Sequence, residues 1–251
     1  VLMSRVFHQS SENLAIVGTD GWLYLRTTLD DYQGTNRMSD RGIRNVATVV
    51  SLMQEYVEGM GKTFVFTSAP NKNTLYPAYM PYYYTQTDKP TNLQRVTMVM
   101  QERGCNYVDL YALFEAQTGV LYHKGDSHWD NRGAALVQDA LLEQAGVEHT
   151  DLTQVEPQER DDFQGDIDKI LYPLARHPEK EYDYSPYFTY SYDGTDDVTA
   201  NVVTTTGTKG DGSRLLCFRD SFGNSLLPFL AQEFDFAKFG KAVPYRIDAM
   251  Y

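Results

Sequence analysis

Leu215-Leu216-Cys217-Phe218-Arg219-Asp220-Ser221-Phe222-Gly223 is the stretch on which the fold turns. Four consecutive apolar residues read as a buried strand. The polar trio Arg219-Asp220-Ser221 ends it, and Leu226-Leu227-Pro228-Phe229-Leu230 then reads as an apolar helix face. Ser221 therefore falls on a strand-to-helix turn. Its hydroxyl is presented outward there, beside the unpaired N–H groups of the first helical turn. Such N–H groups stabilise an oxyanion. Gly223 leaves room for a close approach, and Asp220 reads as a side chain that bonds the turn backbone and holds the elbow.

A serine hydroxyl is a poor nucleophile until a base takes its proton. The chain offers a base in Gly125-Asp126-Ser127-His128-Trp129. With a bend, the Asp126 carboxylate accepts a hydrogen bond from His128 Nδ1–H, which fixes the tautomer and turns Nε2 toward a hydroxyl. Asp220 is the competing carboxylate for that role. Alone, each string has an ordinary explanation: Asp-x-His is often a surface pair, and serines often cap helices. A metal held by His123, Asp126 and His128 is a further reading, but no third strong ligand has suitable spacing.

Outward from these strings, strands alternate with helices. Gly18–Leu25 reads as a turn feeding a short strand. Residues 39–60 place Ile43, Val46, Val50, Met53, Val57 and Met60 at helical spacing, with Ser39 and Asp40 as caps. Residues 62–67 read as a buried strand running into the breaker-rich Ala69-Pro70-Asn71-Lys72. A helix over 90–103, a strand over 105–110 and a helix over 132–145 follow. This order predicts an α/β fold, a parallel sheet flanked by helices, in a single domain over 1–251. Residues 151–212 break the pattern. They are polar and tyrosine-rich, with Tyr182, Tyr184, Tyr190 and Tyr192 alternating as in a two-faced strand, and they read as an inserted β-rich lobe beside the active site.

Four strings in order carry a resemblance. Asp20-Gly21-Trp22-Leu23-Tyr24, Pro70-Asn71-Lys72-Asn73-Thr74-Leu75-Tyr76-Pro77, Asp126-Ser127-His128-Trp129 and Asp220-Ser221-Phe222 resemble the SGNH-hydrolase-like family of alginate O-acetylation proteins and the related group named for a DHHW signature. The likeness spans roughly 18–230 and leaves 151–212 unmatched. It implies a permuted SGNH-hydrolase-like fold, extracytoplasmic placement, and transfer or removal of acetyl groups on a polysaccharide. By position it implies Ser221 as nucleophile, His128 as base and Asp126 as its orienter. It draws Asn71, Lys72 and Tyr76 toward the substrate. Arg219 stands where the family often has Gly, which alters the elbow or puts a cation near the acyl oxygen. The later strand common in such folds is expected to be reduced or missing.

The bulk numbers exclude some classes. A net charge of -12 with no Lys/Arg cluster makes nucleic acid and anionic membranes poor partners. Two cysteines, Cys105 and Cys217, sit in strand-like runs and read as buried thiols, with a disulfide between neighbouring strands as the alternative, and no cofactor or metal is implied. No apolar run approaches the ~20 residues that span a bilayer. The chain begins at Val1, so the lack of a signal peptide carries no information. Nineteen tyrosines suit sugar stacking and ordinary sheet packing alike. The expected activity is a serine-dependent O-acetyltransferase or acetylesterase acting through an acetyl-enzyme. Its partners are a polysaccharide acceptor and an acetyl donor delivered by a membrane acyltransferase. Tyr184 and Tyr187 are expected on the glycan-facing wall. The competing expectation is a non-catalytic glycan-binding scaffold that keeps the fold.

Overall fold

The N-terminal hairpin shows how closely local sequence dictates local structure. Asp20 and Gly21 both have positive φ, 52° and 81°. That geometry suits a tight turn, and it returns β2 (Leu23–Leu25) antiparallel onto β1 (Ala15–Val17). The structure is a computed structural model, which describes residues 14–243. The chain continues through α1 (Leu29–Gln33), α2 (Asp40–Gly59), β3 (Phe66–Thr67), α3 (Lys72–Leu75), α4 (Asn92–Glu102), β4 (Tyr107–Val108), α5 (Leu110–Glu115) and α6 (Asn131–Ala145). Then come β5 (Gln158–Phe163), α7 (Asp166–Leu171), β6 (Glu179–Asp183), β7 (Ser191–Tyr192), β8 (Val202–Thr206), β9 (Arg214–Phe218), α8 (Gly223–Ala231) and β10 (Phe236–Gly240). The fold is mixed α/β.

The chain forms two compact units. The first holds residues 14–128, together with 143–147 and 161–180. Here β3 and β4 pair in parallel, Phe66 opposite Tyr107. Helix α2 starts on a Ser39 hydroxyl that accepts from Gly42 N–H, and α4 starts on a Thr91/Gln94 capping box. Their apolar faces, Ile43, Ala47 and Val50 with Val96 and Met100, pack together with Phe64, Phe66 and Tyr107 of the strand region. A second cluster joins Trp22, Tyr24 and Tyr32 to Met80, and a third joins Val17 and Leu23 to Ile167 and Leu171 of α7.

The second unit holds 129–142, 148–160 and 181–243. Its sheet runs β7-β8-β10-β9. Strand β9 pairs in parallel with β10, Cys217 opposite Phe239, while β8 pairs antiparallel with β10. The strand expected to be reduced or missing after the Ser221 helix is therefore present, as β10. Helix α8 buries Leu226, Leu227, Phe229 and Leu230.

Residues 151–212 do not cluster as a separate unit. The part 161–180 packs in the first unit, and the flanking parts pack in the second, where β8 joins the sheet. The alternation of tyrosines over 182–192 does not make one strand. Strand β6 stops at Asp183, a 3-10 turn with Pro186 follows, and β7 is only Ser191–Tyr192. Proline has no N–H to give a ladder, so it breaks the run. Cys105 and Cys217 are both free thiols, and burial pushes the Cys217 thiol up to about 11.

Candidate active site

Backbone bonds and buried charges hold residues 124–128 from several directions, all within the first unit. Glu179 accepts from the N–H groups of Lys124 and Gly125, both at 2.6 Å. The Gly125 carbonyl accepts from Asp168 N–H at 2.9 Å. His123 N–H donates to the His128 carbonyl at 3.3 Å. A Cβ at Gly165 would overlap the Gly125 carbonyl, so glycine is what lets α7 start against this string. The Lys72 ammonium donates to the carbonyls of Leu23, Lys124 and Asp126 at 2.7, 2.6 and 2.8 Å.

Within that cradle Asp126 and His128 meet as the sequence suggested. Asp126 Oδ1 lies 2.6 Å from His128 Nδ1 and accepts from His128 N–H at 2.9 Å. Its other oxygen accepts from Asp166 N–H at 2.7 Å. Burial opposes ionisation of Asp126. The hydrogen bond from His128, its positive charge, and the N–H groups of Asp166 and His128 outweigh burial and hold the carboxyl well below its ordinary value. An ionised carboxylate only accepts, so Nδ1 carries a proton and Nε2 is the basic ring nitrogen.

Asp166, at the first position of α7, is the residue that sequence reading missed. Its carboxylate accepts from Ser127 N–H at 2.9 Å and Ser127 Oγ–H at 2.6 Å, and lies 3.7 Å from His128 Nδ1. The only trace in the sequence is an acid opening a short apolar helix, a weak signal, because acids commonly open helices. Asp126, His128 and Asp166 place possible metal-donor atoms within 4.8 Å of one another. Their short contacts form a hydrogen-bonded network, and His123 is instead stacked on Phe163, ring centroids 3.8 Å apart.

Ser221 lies in the second unit, half-buried, on the turn between β9 and α8. Asp220 Oδ1 accepts from Phe222 N–H at 2.9 Å, which holds the elbow as expected. The indole of Trp129 packs edge-on against Phe222 and donates to Ser225 Oγ at 2.9 Å. Asp126 and His128 are thus brought together in one unit, and Ser221 and Arg219 are placed in the other.

Several expected ligand contacts are taken up by the fold. Lys72 is 5 % exposed, its ammonium satisfied by three carbonyls and lying over the Trp22 and Tyr24 rings, so it does not face a substrate. Arg219 is also buried, its guanidinium donating to Asn224 Oδ1 and the carbonyls of Val198 and Ala200. Its stem packs so near Gly223 that a Cβ there would collide with it. Tyr76 Oη accepts from Leu121 N–H. Tyr184 is 3 % exposed and packs edge-on against Phe229, a core position because its ring fills the space over α8. Tyr187 is 41 % exposed, its hydroxyl donating to the Glu156 carbonyl. Asn71 donates to Asp31 and lines a polar cavity of about 330 Å³ with Thr28, Ser68 and Thr74.

Among curated proteins, none matches by sequence. Solved structures do. PatB1 of Bacillus cereus, with a sulfonyl adduct, superposes with a TM-score of 0.65 at 13% identity over 92% of this chain and 88% of that one. A DHHW family protein of Eubacterium siraeum gives 0.58 at 17% identity over 90% and 85%. The O-acetyltransferase domain of Pseudomonas putida AlgJ gives 0.55 at 16% identity over 90% and 78%. The family model of the SGNH hydrolase-like domain of the acetyltransferase AlgX matches residues 15–209, which include Asp126 and His128 and stop short of Ser221. The chain belongs to this SGNH hydrolase-like family.

Proposed function

We propose that the protein is an extracytoplasmic, serine-dependent O-acetyltransferase or acetylesterase acting on a cell-surface or exopolysaccharide glycan. The observation that carries this reading is the 2.6 Å bond from His128 Nδ1 to a desolvated Asp126, which makes Nε2 a general base. Ser221 is the nucleophile. Its Oγ attacks an acetyl carbonyl while His128 takes its proton. The tetrahedral intermediate then expels the donor's alcohol, which leaves with the proton from His128. The acetyl-enzyme next passes its acyl group to a sugar hydroxyl, or to water, deprotonated by the same imidazole. N–H groups at the start of α8 supply the oxyanion site.

Family membership and the O-acetyltransferase neighbour support acetyl transfer to polysaccharide. Placement outside the cytoplasm, and with it an acetyl donor delivered by a membrane acyltransferase, is part of the same reading and follows from the resemblance of the four sequence strings to alginate O-acetylation proteins. Among the described residues no helix is long and apolar enough to cross a membrane. The sulfonyl adduct on the Bacillus cereus neighbour suggests a direct probe. A chromogenic acetyl ester should leave an acetyl adduct, and a sulfonyl fluoride should block it, both mapping to Ser221. Ser221→Ala should lower turnover by about 10³-fold or more without loss of folding. Turnover unchanged in Ser221→Ala, or an adduct on another residue, overturns the choice of nucleophile, and a wild-type protein that neither turns over the ester nor takes an adduct leaves the binding scaffold.

A further inference from the structure

Asp166 meets this string in two ways. Its main-chain N–H meets the Asp126 oxygen that His128 does not use. Its side chain, 40 % exposed, caps Ser127 through both N–H and Oγ and stands 3.7 Å from His128 Nδ1. The placement is built rather than incidental. Gly165 touches the Gly125–Asp126 peptide too closely for any side chain, and Asp168 N–H anchors the same helix start on the Gly125 carbonyl.

We propose that Asp166 is a second acidic positioning residue of the Asp126–His128 pair, holding Asp126 through its N–H and setting the basicity of His128 through its carboxylate. This rests on the reading of His128 as general base. The imidazole faces Asp126 and Asp166 from its Nδ1 side. Other charges on or near the string in the first unit include the Lys72 ammonium, on the Asp126 carbonyl, the Glu179 carboxylate, on Lys124 and Gly125 N–H, the Lys124 side chain, and Asp168 beside Gly125. A negative charge near an imidazole favours its protonated form. Removing the Asp166 charge therefore lowers the pH at which His128 gains its proton, and the neutral base survives into more acid solution.

The helix position allows the two roles to be separated. Asp166→Asn keeps the shape and the N–H but removes the charge. Asp166→Ala removes the carboxylate and keeps the N–H. Asp166→Pro removes both, at the first helical position, where proline is well tolerated, and Gly165 already has the extended backbone (φ -64°, ψ 156°) that precedes proline. The experiment measures kcat/KM against pH for acetyl-ester hydrolysis. His128 is also titrated by NMR in the Ser221→Ala background, which reads its proton without turnover. Asp166→Asn should move the acid limb and the NMR midpoint down by roughly half a unit to one unit, and Asp166→Glu should restore part of it. KM should stay near wild type. Asp166→Pro should lose several-fold more kcat than Asp166→Ala, because the Asp126 oxygen that His128 does not use then lacks its donor. Asn and wild-type curves that superpose by NMR overturn the charge role. Equal kcat in the Ala and Pro variants overturns the N–H role. If instead His128→Ala turns over like wild type, the underlying assignment of the base is what fails.

Discussion

At the residue scale, the Asp126–His128 pair was legible because its members are two positions apart, and a bend alone brings them into contact. The groups that hold the pair were not legible. Lys72, Asp166 and Glu179 lie about forty to fifty positions away and act largely on main-chain atoms, which leave no pattern in side-chain identity. Lys72 shows the consequence: its string suggested a substrate contact, yet its ammonium is spent inside the protein. Burial pulls Lys72 down to about 7, against the opposing pull of Glu179, Asp126 and Asp166. A free lysine keeps its proton to about 10.4, so between about 7 and 10 the unfolded chain binds more protons than the folded one. Stability from this residue then rises with pH across that window. Lys72→Met loses the titration along with the three bonds. The wild-type Tm should gain on that of Lys72→Met as pH rises from 7 to 9. Parallel Tm curves over that range rule this out.

At the scale of elements, the helices were legible and the strands only in outline. Helices α2, α4 and α6 are long and periodic, and α2 and α4 start on side-chain caps, so pattern and local chemistry agree. Strands β3 and β4 are two residues each within longer apolar runs, because pairing partners rather than propensity decide where a ladder ends. Helix α7 is six residues and polar on one side, too short for a periodic signal, although it supplies the shelf for the Asp126 string. That shelf gives a sharp test. Gly165→Ala places a methyl group against the Gly125 carbonyl and Asp126 nitrogen, so α7 must retreat. The expected cost is about 1–3 kcal/mol of stability, with a loss of kcat well beyond that of a neutral surface change. Gly119→Ala is the control, since nothing lies within 4 Å of a Cβ there. If Gly165→Ala melts and turns over like Gly119→Ala, α7 does not position the string.

At the scale of the whole molecule, neither unit is a continuous piece of chain. The boundary falls between His128 and Trp129, inside one motif string, and again at 142/143, 147/148, 160/161 and 180/181. The segment 151–212, which read as an added lobe, is therefore divided, and its 161–180 part is integral to the first unit. Ile167 is fully buried and Leu171 nearly so, both against Ala15, Val17 and Leu23. Burying two such side chains contributes about 1.5–3 kcal/mol each, a large share of a typical net stability of roughly 5–15 kcal/mol. The same segment brings Asp166, Asp168 N–H and Glu179, whose loss would strand the N–H groups of Lys124, Gly125 and Ser127 and the Gly125 carbonyl. A fragment covering residues 14–128 contains every residue that sequence reading assigned to the base and its orienter, yet it lacks these supports. It should show weak near-UV circular dichroism and no cooperative thermal transition. Supplying residues 161–180 through a flexible linker should recover part of both signals. A sharp melt of the bare fragment, close to that of the full chain, would mean that the first unit stands without the segment.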